Sequence, residues 1–146
     1  MAVGLLGGLF ESSVKVTASD NALIEPLISY DRSSCSIYVC SVNAVQLQKI
    51  CCTFTGSVRV KTTIQANSTR SSARLMAYFQ VQRNGNVIYT SGTYTAIRET
   101  ALEVDISLDI YDLQPGDYIL FYGYTNGSGM DFTGYANPLT VCGTII

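Results

Sequence analysis

A chain of 146 residues fits a single domain, and it can bury a core without disulfides or a metal ion. Hydrophobic residues make up 47% of the chain and charged residues only 14%, which indicates a surface that something else partly covers. The net charge of −2 argues against a dedicated nucleic-acid binder, and no apolar run reaches the roughly 18 residues that span a membrane.

The chain begins with MAVGLLGGLF, which we interpret as part of an N-terminal arm over residues 1–12 rather than as a signal peptide. Its glycines disfavour an isolated helix, because each costs roughly 0.8–1 kcal/mol relative to alanine. An apolar arm of this kind needs a groove to lie in, and we expect it to order only against another subunit. The candidate subunit-interface residues are Val3, Leu5, Leu6, Leu9 and Phe10.

Strand patterns fill residues 13–146, and helical periodicity is absent. Segment 101–110 alternates apolar residues with acidic residues and a serine, which is the period of two that puts one set of side chains inward. Segment 57–64 has the same period of two, with serine, threonine and basic residues at the outward positions. Asn84-Gly85 tolerates positive φ and therefore predicts a hairpin turn between two further strands.

Pro115-Gly116 predicts another turn, which precedes a strand at 117–125. The full set of predicted strands is 13–18, 22–29, 35–42, 45–54, 57–64, 73–83, 86–91, 101–110, 117–125 and 138–145. About eight to ten short strands separated by turn residues predict an all-β fold, namely an antiparallel β-sandwich with a jelly roll as its favoured topology. No repeat or linker divides the sequence, so a single sandwich domain over 13–146 follows the arm.

Residues 55–125 contain the segments GSVRVKTTI, YFQVQRNGNVIYT and VDISLDIYDLQPGDYILFYGY in this order. Together they resemble the small β-sandwich modules of tailed-phage virions and, more loosely, C1q-type and tumour-necrosis-factor-type jelly rolls. The turn motif of those modules corresponds, with one extra position, to Leu113, Gly116, Asp117 and Ile119. The resemblance implies a trimeric or otherwise oligomeric structural protein of a capsid or tail, and it brings no catalytic signature with it.

The chain has no histidine, which removes the commonest general base, the commonest metal ligand and every Ser-His or Cys-His nucleophile. Glu103, Asp105 and Asp109 share one face of a predicted strand, as an acid/base pair or a calcium site would require. Same-face carboxylates on a strand are more typical of its solvated side, whereas calcium sites take several oxygens from a tight turn. We therefore predict a protein that is not an enzyme and that uses no metal or other cofactor.

Four of the five cysteines lie within residues 34–52, and the candidate disulfide residues are Cys35, Cys40, Cys51, Cys52 and Cys142. Their spacing does not supply the paired knuckles of a zinc site. Because Cys51 and Cys52 are adjacent in a strand, one should face inward and the other outward. Buried thiols and disulfides are the two alternatives, and an odd number leaves one thiol over for a second chain. We predict that at least one cysteine of 34–52 bonds to another polypeptide in the mature assembly.

Charge is segregated along the chain, because every charged residue in 32–98 is basic and every later one is acidic. Cross-strand pairs of opposite sign contribute roughly 0.2–1 kcal/mol each, so Arg59 and Lys61 facing Glu103 or Asp105 would fix a strand register. The same segregation could instead join the basic face of one subunit to the acidic face of another.

These patterns suggest two functions. The first is a structural virion protein of a bacteriophage, either a capsid decoration or cement protein or a tail-associated subunit. It would be assembled in the host cytoplasm as a homo-oligomer, with a trimer favoured, and would contact other virion proteins but no nucleic acid or membrane. The second is a carbohydrate- or receptor-binding module in which tyrosines contact a glycan. The candidate residues are Tyr78, Tyr89, Tyr94, Tyr122, Tyr124 and Tyr135.

Overall fold

The computed structural model describes residues 4–6, 11–14, 36–67 and 69–144, so the predicted strand at 22–29 lies outside the described residues. The strands in these residues are β1 (Gly4–Leu6), β2 (Glu11–Val14), β3 (Ile37–Val39), β4 (Val45–Cys52), β5 (Gly56–Ala66), β6 (Arg74–Arg83), β7 (Asn86–Thr90), β8 (Tyr94–Ile97), β9 (Glu103–Leu113), β10 (Tyr118–Thr125), β11 (Gly134–Ala136) and β12 (Thr140–Thr144). No helix in this part of the chain is long and apolar enough to cross a membrane.

The strands form two sheets. Sheet I has the order β1-β2-β4-β10-β6-β7. β8 also pairs with β6, on the same side as β7 but along the first half of β6. In sheet II, β9 pairs with one side of β5. The other side of β5 pairs first with β12 and, further along, with β11. β3 pairs with the outer side of β11. The strand pairs are antiparallel, except that β2 runs parallel to β4.

The strand order of the sandwich is that of a jelly roll. If β7 with β8 and β11 with β12 are each counted as one interrupted strand, β3 to β12 give four strands in each sheet. From β3 to β6, each successive strand lies in the other sheet, so every connection crosses between the sheets. The same is true of the connections from β8 to β11. Eight strands wound in this way are typical of a jelly roll. The predicted antiparallel β-sandwich is therefore confirmed.

The described residues of the N-terminal arm lie in two strands, and its expected ordering against another subunit stays a prediction. β1 and β2 pair with each other, and β2 pairs with β4. These strands therefore extend sheet I of the same chain, with β1 at its outer end. Of the candidate interface residues, Leu5 and Leu6 lie in β1. Val3, Leu9 and Phe10 lie outside the described residues.

The core lies between the inner faces of the two sheets. Phe79 on β6 and Phe121 on β10 are fully buried, and their rings stack with centroids 4.7 Å apart. Ile64, Ile106 and Ile110 contribute to the same cluster from sheet II. Burial of one such side chain contributes roughly 1.5–3 kcal/mol, which fixes the inward face of each strand. The predicted alternation of β9 is confirmed, since its apolar residues face the core and its acidic residues do not.

Two turns have the backbone geometry that their residues predict. Asn84 has φ 52° and Gly85 has φ 80°, both positive as a type I′ turn requires, so the hairpin of β6 and β7 is confirmed. Gly116 has φ 92°, and the backbone nitrogen of Asp117 donates a hydrogen bond to the carbonyl oxygen of Gln114 at 3.0 Å. This is a type II turn, and it leads directly into β10.

Candidate interaction surfaces

The outer face of sheet I carries tyrosines from β10 and β6. Tyr122 lies opposite Tyr78 and Tyr124 lies opposite Met76, and all four point away from the core because alternate residues such as Phe79 point into it. We call this surface the tyrosine face. Its members are Met76, Tyr78, Gln80, Gln82, Tyr118, Leu120, Tyr122 and Tyr124.

The rings of the tyrosine face pack against one another. Tyr78 and Tyr122 stack with centroids 5.2 Å apart and planes at 17°, and Tyr124 meets Tyr78 edge-on at 6.4 Å. Burial, followed by the neighbouring Tyr122 and Tyr124, raises the pKa of the Tyr78 hydroxyl. Leu120, on the same face, is buried. The tyrosine face is therefore one continuous packed surface.

None of the members of the tyrosine face is charged, and β4, β6 and β10 together contain basic but no acidic residues. Lys49 on β4 lies over the ring of Tyr118, with its Nζ 4.1 Å from the centroid, as in a cation–π contact. The outer face of sheet II is charged by contrast, and there Arg59 donates two hydrogen bonds to Asp109, at 2.6 and 2.9 Å. The face of sheet II thus suits water and ions, whereas the tyrosine face suits another uncharged surface.

The charged face of sheet II corrects one predicted pairing. β5 and β9 do pair, but Arg59 lies opposite Asp109 and Lys61 lies opposite Ser107, rather than opposite Glu103 or Asp105. The register follows the buried apolar layer beneath, because a slip by one residue would turn that layer toward solvent. The packing of the apolar layer therefore sets the register, and this register places Asp109 opposite Arg59.

The structure brings together three of the six tyrosines that were predicted to form a sugar platform, namely Tyr78, Tyr122 and Tyr124. The other three lie elsewhere. Tyr94 packs edge-on against Phe79 on the core side, and Tyr135 meets Tyr38 on sheet II. Tyr89 lies on β7, beside a cleft at the side of the sandwich. A six-tyrosine platform is therefore not formed.

β7 forms the edge of sheet I that lies farthest from β1. All of its residues are exposed, and three are apolar: Val87 and Ile88 are each 49% exposed, and Tyr89 is 39% exposed. Natural edge strands are usually blunted by charged residues or proline, and β7 contains neither. An incoming strand of another molecule could therefore pair with β7.

A cleft of about 450 Å³ opens beside β7, between the edges of the two sheets. Its lining residues are Val81, Arg83, Ile88, Tyr89, Asp109, Ile110, Tyr111 and Asp112. A bulge helps to shape it, because the register shift opposite Val81 and Gln82 leaves Ile88 as an extra residue of β7. Ile88 and Tyr89 consequently both line the cleft. Apolar walls with a few polar groups are typical of a site that accepts an apolar group.

Arg83, on the cleft wall, forms an ion pair with a buried carboxylate. Its Nε and Nη2 each donate to Asp117 at 2.9 Å, and the backbone nitrogen of Gln114 donates to the same carboxylate at 2.8 Å. The hydrogen bond from Arg83 outweighs burial and lowers the pKa of the Asp117 carboxyl. Asp117 thus fastens the turn before β10 to the end of β6.

Cys51 and Cys52 point to opposite sides of β4, as predicted. Cys52 is fully buried in the core, and its burial, followed by the charges of Asp117 and Cys51, raises the pKa of its thiol to about 12. Cys51 is half-buried opposite Tyr118 on the outer face, and its Sγ donates to the carbonyl oxygen of Cys52 at 3.9 Å. Cys52 therefore behaves as a small hydrophobic residue of the core.

The remaining cysteines differ in their access to another chain. Cys142 lies on sheet II and is buried, whereas Cys40 is half-buried and donates from its Sγ to the carbonyl oxygen of Gly129 at 3.3 Å. Cys40, Cys52 and Cys142 are free thiols. Cys35 lies outside the described residues. A bond between one of the cysteines in 34–52 and another polypeptide stays a prediction.

In the part of the chain that the structure describes, no three residues of the types His, Cys, Asp and Glu come together as metal ligands. The carboxylates of β9 make cross-strand contacts instead. Asp105 accepts a hydrogen bond from Thr63 at 2.7 Å, and Asp109 pairs with Arg59. These contacts are what we expect of the solvated side of a strand.

The chain matches no protein-family model and no curated protein. Fold and surface together define its class as a β-sandwich of jelly-roll strand order with an apolar free edge. The surfaces that the structure offers for contact with other molecules include the tyrosine face, β7 and the cleft beside it.

Proposed function

We propose that the protein is a structural subunit of a bacteriophage virion, a capsid decoration, cement or tail-associated protein that assembles with copies of itself and with other virion proteins. The observation that carries this proposal is the uncharged edge strand β7, with its exposed apolar residues, beside a cleft that is lined mostly by apolar and aromatic residues. Such an edge is an aggregation liability in a protein that works alone. A subunit whose edge is covered in an assembly does not have this problem.

Two further observations support an assembling role. The tyrosine face is rich in aromatic side chains and nearly free of charge, which is the composition that distinguishes the centres of protein interfaces. The resemblance of residues 55–125 to phage β-sandwich modules makes a virion the favoured assembly and a trimer the favoured oligomer. The chain would reach the virion after assembly in the host cytoplasm.

The native mass of the purified protein tests the assembling role. Light scattering over a range of concentrations should give a multiple of the 15.8 kDa chain mass, both with and without reductant. The virion role is tested separately, by mass spectrometry and immunogold labelling of particles purified from the biological source of the chain. A protein that is monomeric at every concentration and absent from particles would contradict the proposal.

A carbohydrate- or receptor-binding role is a second candidate, which the tyrosine face favours. Tyr78, Tyr122 and Tyr124 lie together with Gln80, and aromatic rings with a polar group nearby suit sugar binding. The stacking of Tyr78 on Tyr122 covers one side of each ring, however, which leaves less ring surface for a sugar. Glycan-array binding that Tyr124→Ala abolishes and Tyr111→Ala, a change at an exposed tyrosine on β9, preserves would favour this second role.

A further inference from the structure

The two sheet edges that flank the cleft differ in charge. β9, at the edge of sheet II, carries Glu103, Asp105 and Asp109, which protect it against pairing with another strand. β7, at the edge of sheet I, belongs to a stretch from position 84 to position 97 without any charged residue. A strand from another molecule is therefore directed to β7 and away from β9.

Two of the three charged residues that line the cleft are paired within the chain. Asp109 pairs with Arg59, and Arg83 pairs with Asp117. The hydrogen bond to Asp117 raises the pKa of the Arg83 guanidinium, and the charge of Asp112, the third of these residues, adds to this effect. The rest of the lining is apolar or aromatic, for example Ile88 and Tyr111. Because a charged occupant would find few free counter-charges and would lose its water, the cleft suits an uncharged, apolar segment.

The chain itself contains such a segment. Residues 1–10 carry no charged side chain, and they include the predicted interface residues Val3, Leu5, Leu6, Leu9 and Phe10. Within this segment β1 forms the outer end of sheet I, so one of its two edges has no strand beside it in the described residues. The segment thus offers both apolar side chains and a strand edge for pairing.

A chain cannot place this segment in its own cleft while β1 stays in sheet I. β2, β4, β10 and β6 lie between β1 and β7, which separates the two edges by roughly 24 Å at about 4.8 Å per strand spacing. The free edge of β1 and the free edge of β7 therefore face away from each other across the whole sheet. Only a second copy can bring them together.

We propose that the apolar segment 3–10 of one copy, which contains β1, pairs along β7 of a second copy and places apolar side chains in the cleft between β7 and β9. This inference rests on the proposed role as an assembling subunit, and it names the contact. The contact joins two different surfaces, so it is head-to-tail and repeats from copy to copy. Such contacts close into a ring when the rotation allows it, as the predicted trimer requires, and otherwise extend as a filament.

Complementation between two variants tests the proposal. Deletion of residues 1–10 removes the inserted segment but leaves the cleft, whereas Ile88→Lys keeps the segment and places a charge in the cleft. Each variant alone should have a dissociation constant about tenfold or more above that of the wild type. The deletion loses the inserted apolar side chains, and in Ile88→Lys a side chain that would be buried in the contact carries a charge that must lose its water. Mixed together, the two variants should form a 1:1 heterodimer of about twice the 15.8 kDa chain mass and nothing larger.

Three controls separate this contact from damage to the fold. Val42→Lys introduces the same charge at a residue as exposed as Ile88, 49% in both cases, in the connection between β3 and β4, and should assemble like the wild type. The double substitution Leu5→Ser and Leu6→Ser repeats the deletion without shortening the chain. Circular dichroism should show the same β-sheet content in every full-length variant, and in the deletion a content lower only by the residues of β1.

The alternative outcomes are distinct. Unchanged masses for the deletion and for Ile88→Lys, in a wild type that does assemble, would overturn this contact and leave the proposed function standing. Loss of assembly in Ile88→Lys with full assembly of the deletion would point to pairing of β7 with β7 and would also overturn it. Two monomeric variants that fail to form a heterodimer when mixed would also overturn the proposed contact. A monomeric wild type would remove the proposed function itself.

Discussion

Replacing Asp117 by Asn should destabilise the fold far more than the same change at Asp109. Asp117 is 1% exposed and accepts hydrogen bonds from Arg83 at 2.9 Å and from the backbone nitrogen of Gln114 at 2.8 Å. Asparagine keeps the shape and one acceptor oxygen, but its amide nitrogen would meet other donors and the charge would be lost. Asp109 also pairs with an arginine, but its side chain is 35% exposed.

The expected magnitude follows from these environments. A hydrogen bond to a charged group is worth about 1.5–3 kcal/mol, and removal of one partner of a buried ion pair costs about 3–5 kcal/mol. The side chain of Arg83 is 31% exposed, so water can partly solvate it once the carboxylate is gone. We therefore expect Asp117→Asn to lower the free energy of unfolding by about 2–4 kcal/mol. An exposed pair is worth about 1 kcal/mol or less, which is the expectation for Asp109→Asn.

Urea unfolding followed by circular dichroism or tyrosine fluorescence measures both effects, since the chain has 10 tyrosines and no tryptophan. The pKa of Asp117 is lowered in the folded state, so its carboxylate stabilises the fold above the ordinary pKa near 3.8. This contribution is lost as the pH falls below that value. The stability gap between wild type and Asp117→Asn should therefore shrink in acid. Equal losses for the two variants, or a gap that acid leaves undiminished, would refute the reasoning.

Three further expectations concern register, packing and the core. Arg59→Ala should lower the melting temperature more than Lys61→Ala, because only the former breaks a two-bond contact with β9, and equal shifts would show that this contact contributes nothing. Gly134→Ala should lower the free energy of unfolding in urea by about 1–3 kcal/mol, since its Cβ would lie 2.9 Å from a carbonyl oxygen of β5. Gly92→Ala should be nearly neutral in the same assay, because no atom lies within 4 Å of the added Cβ. Cys52 should resist iodoacetamide until urea unfolds the chain, because it is buried with a pKa of about 12, and fast labelling of the native protein would contradict its place in the core.

Strands with one buried and one solvated face were predictable from the sequence. β9 alternates apolar and polar residues over most of its length, and the structure buries Ile106 and Ile110 while Ser107 and Asp109 between them face outward. The hairpin of β6 and β7 was predictable for a local reason, because Asn84 and Gly85 readily adopt the positive φ of a type I′ turn. In both cases the information lies within a few neighbouring residues.

β8 and β11 were not predicted, because a period of two cannot be recognised in four or three residues. Gly134 in β11 illustrates the difficulty, since glycine in a sequence suggests a loop. In the structure it is buried, and a Cβ there would lie 2.8 Å from the side chain of Leu75 on the opposite sheet. The need for glycine comes from the close approach of the two sheets, which local sequence does not record.

The tyrosine face required the register of two strands that are distant in sequence. The alternation within β10 places Tyr122 and Tyr124 on one side, but β10 buries residues of both faces, among them Leu120 and Phe121. Burial alone therefore does not distinguish its core side from its outer side. Only the pairing of β10 with β6 brings Tyr78 next to Tyr122.

The basic and acidic parts of the chain form ion pairs with each other within one molecule. Among the described residues, the ion pairs that join the basic stretch to the acidic stretch include Arg59–Asp109, Arg70–Asp131 and Arg83–Asp117. Charges that are satisfied in this way are poor anchors for a second copy, because a new contact would only exchange one partner for another. Contacts between copies should then come from uncharged surfaces, β7 with its cleft and the tyrosine face. Salt screens contacts between exposed charges but weakens apolar contacts little, so the native mass should be unchanged as ionic strength rises. Dissociation by salt in light-scattering measurements would instead indicate a contact between the basic face of one subunit and the acidic face of the next.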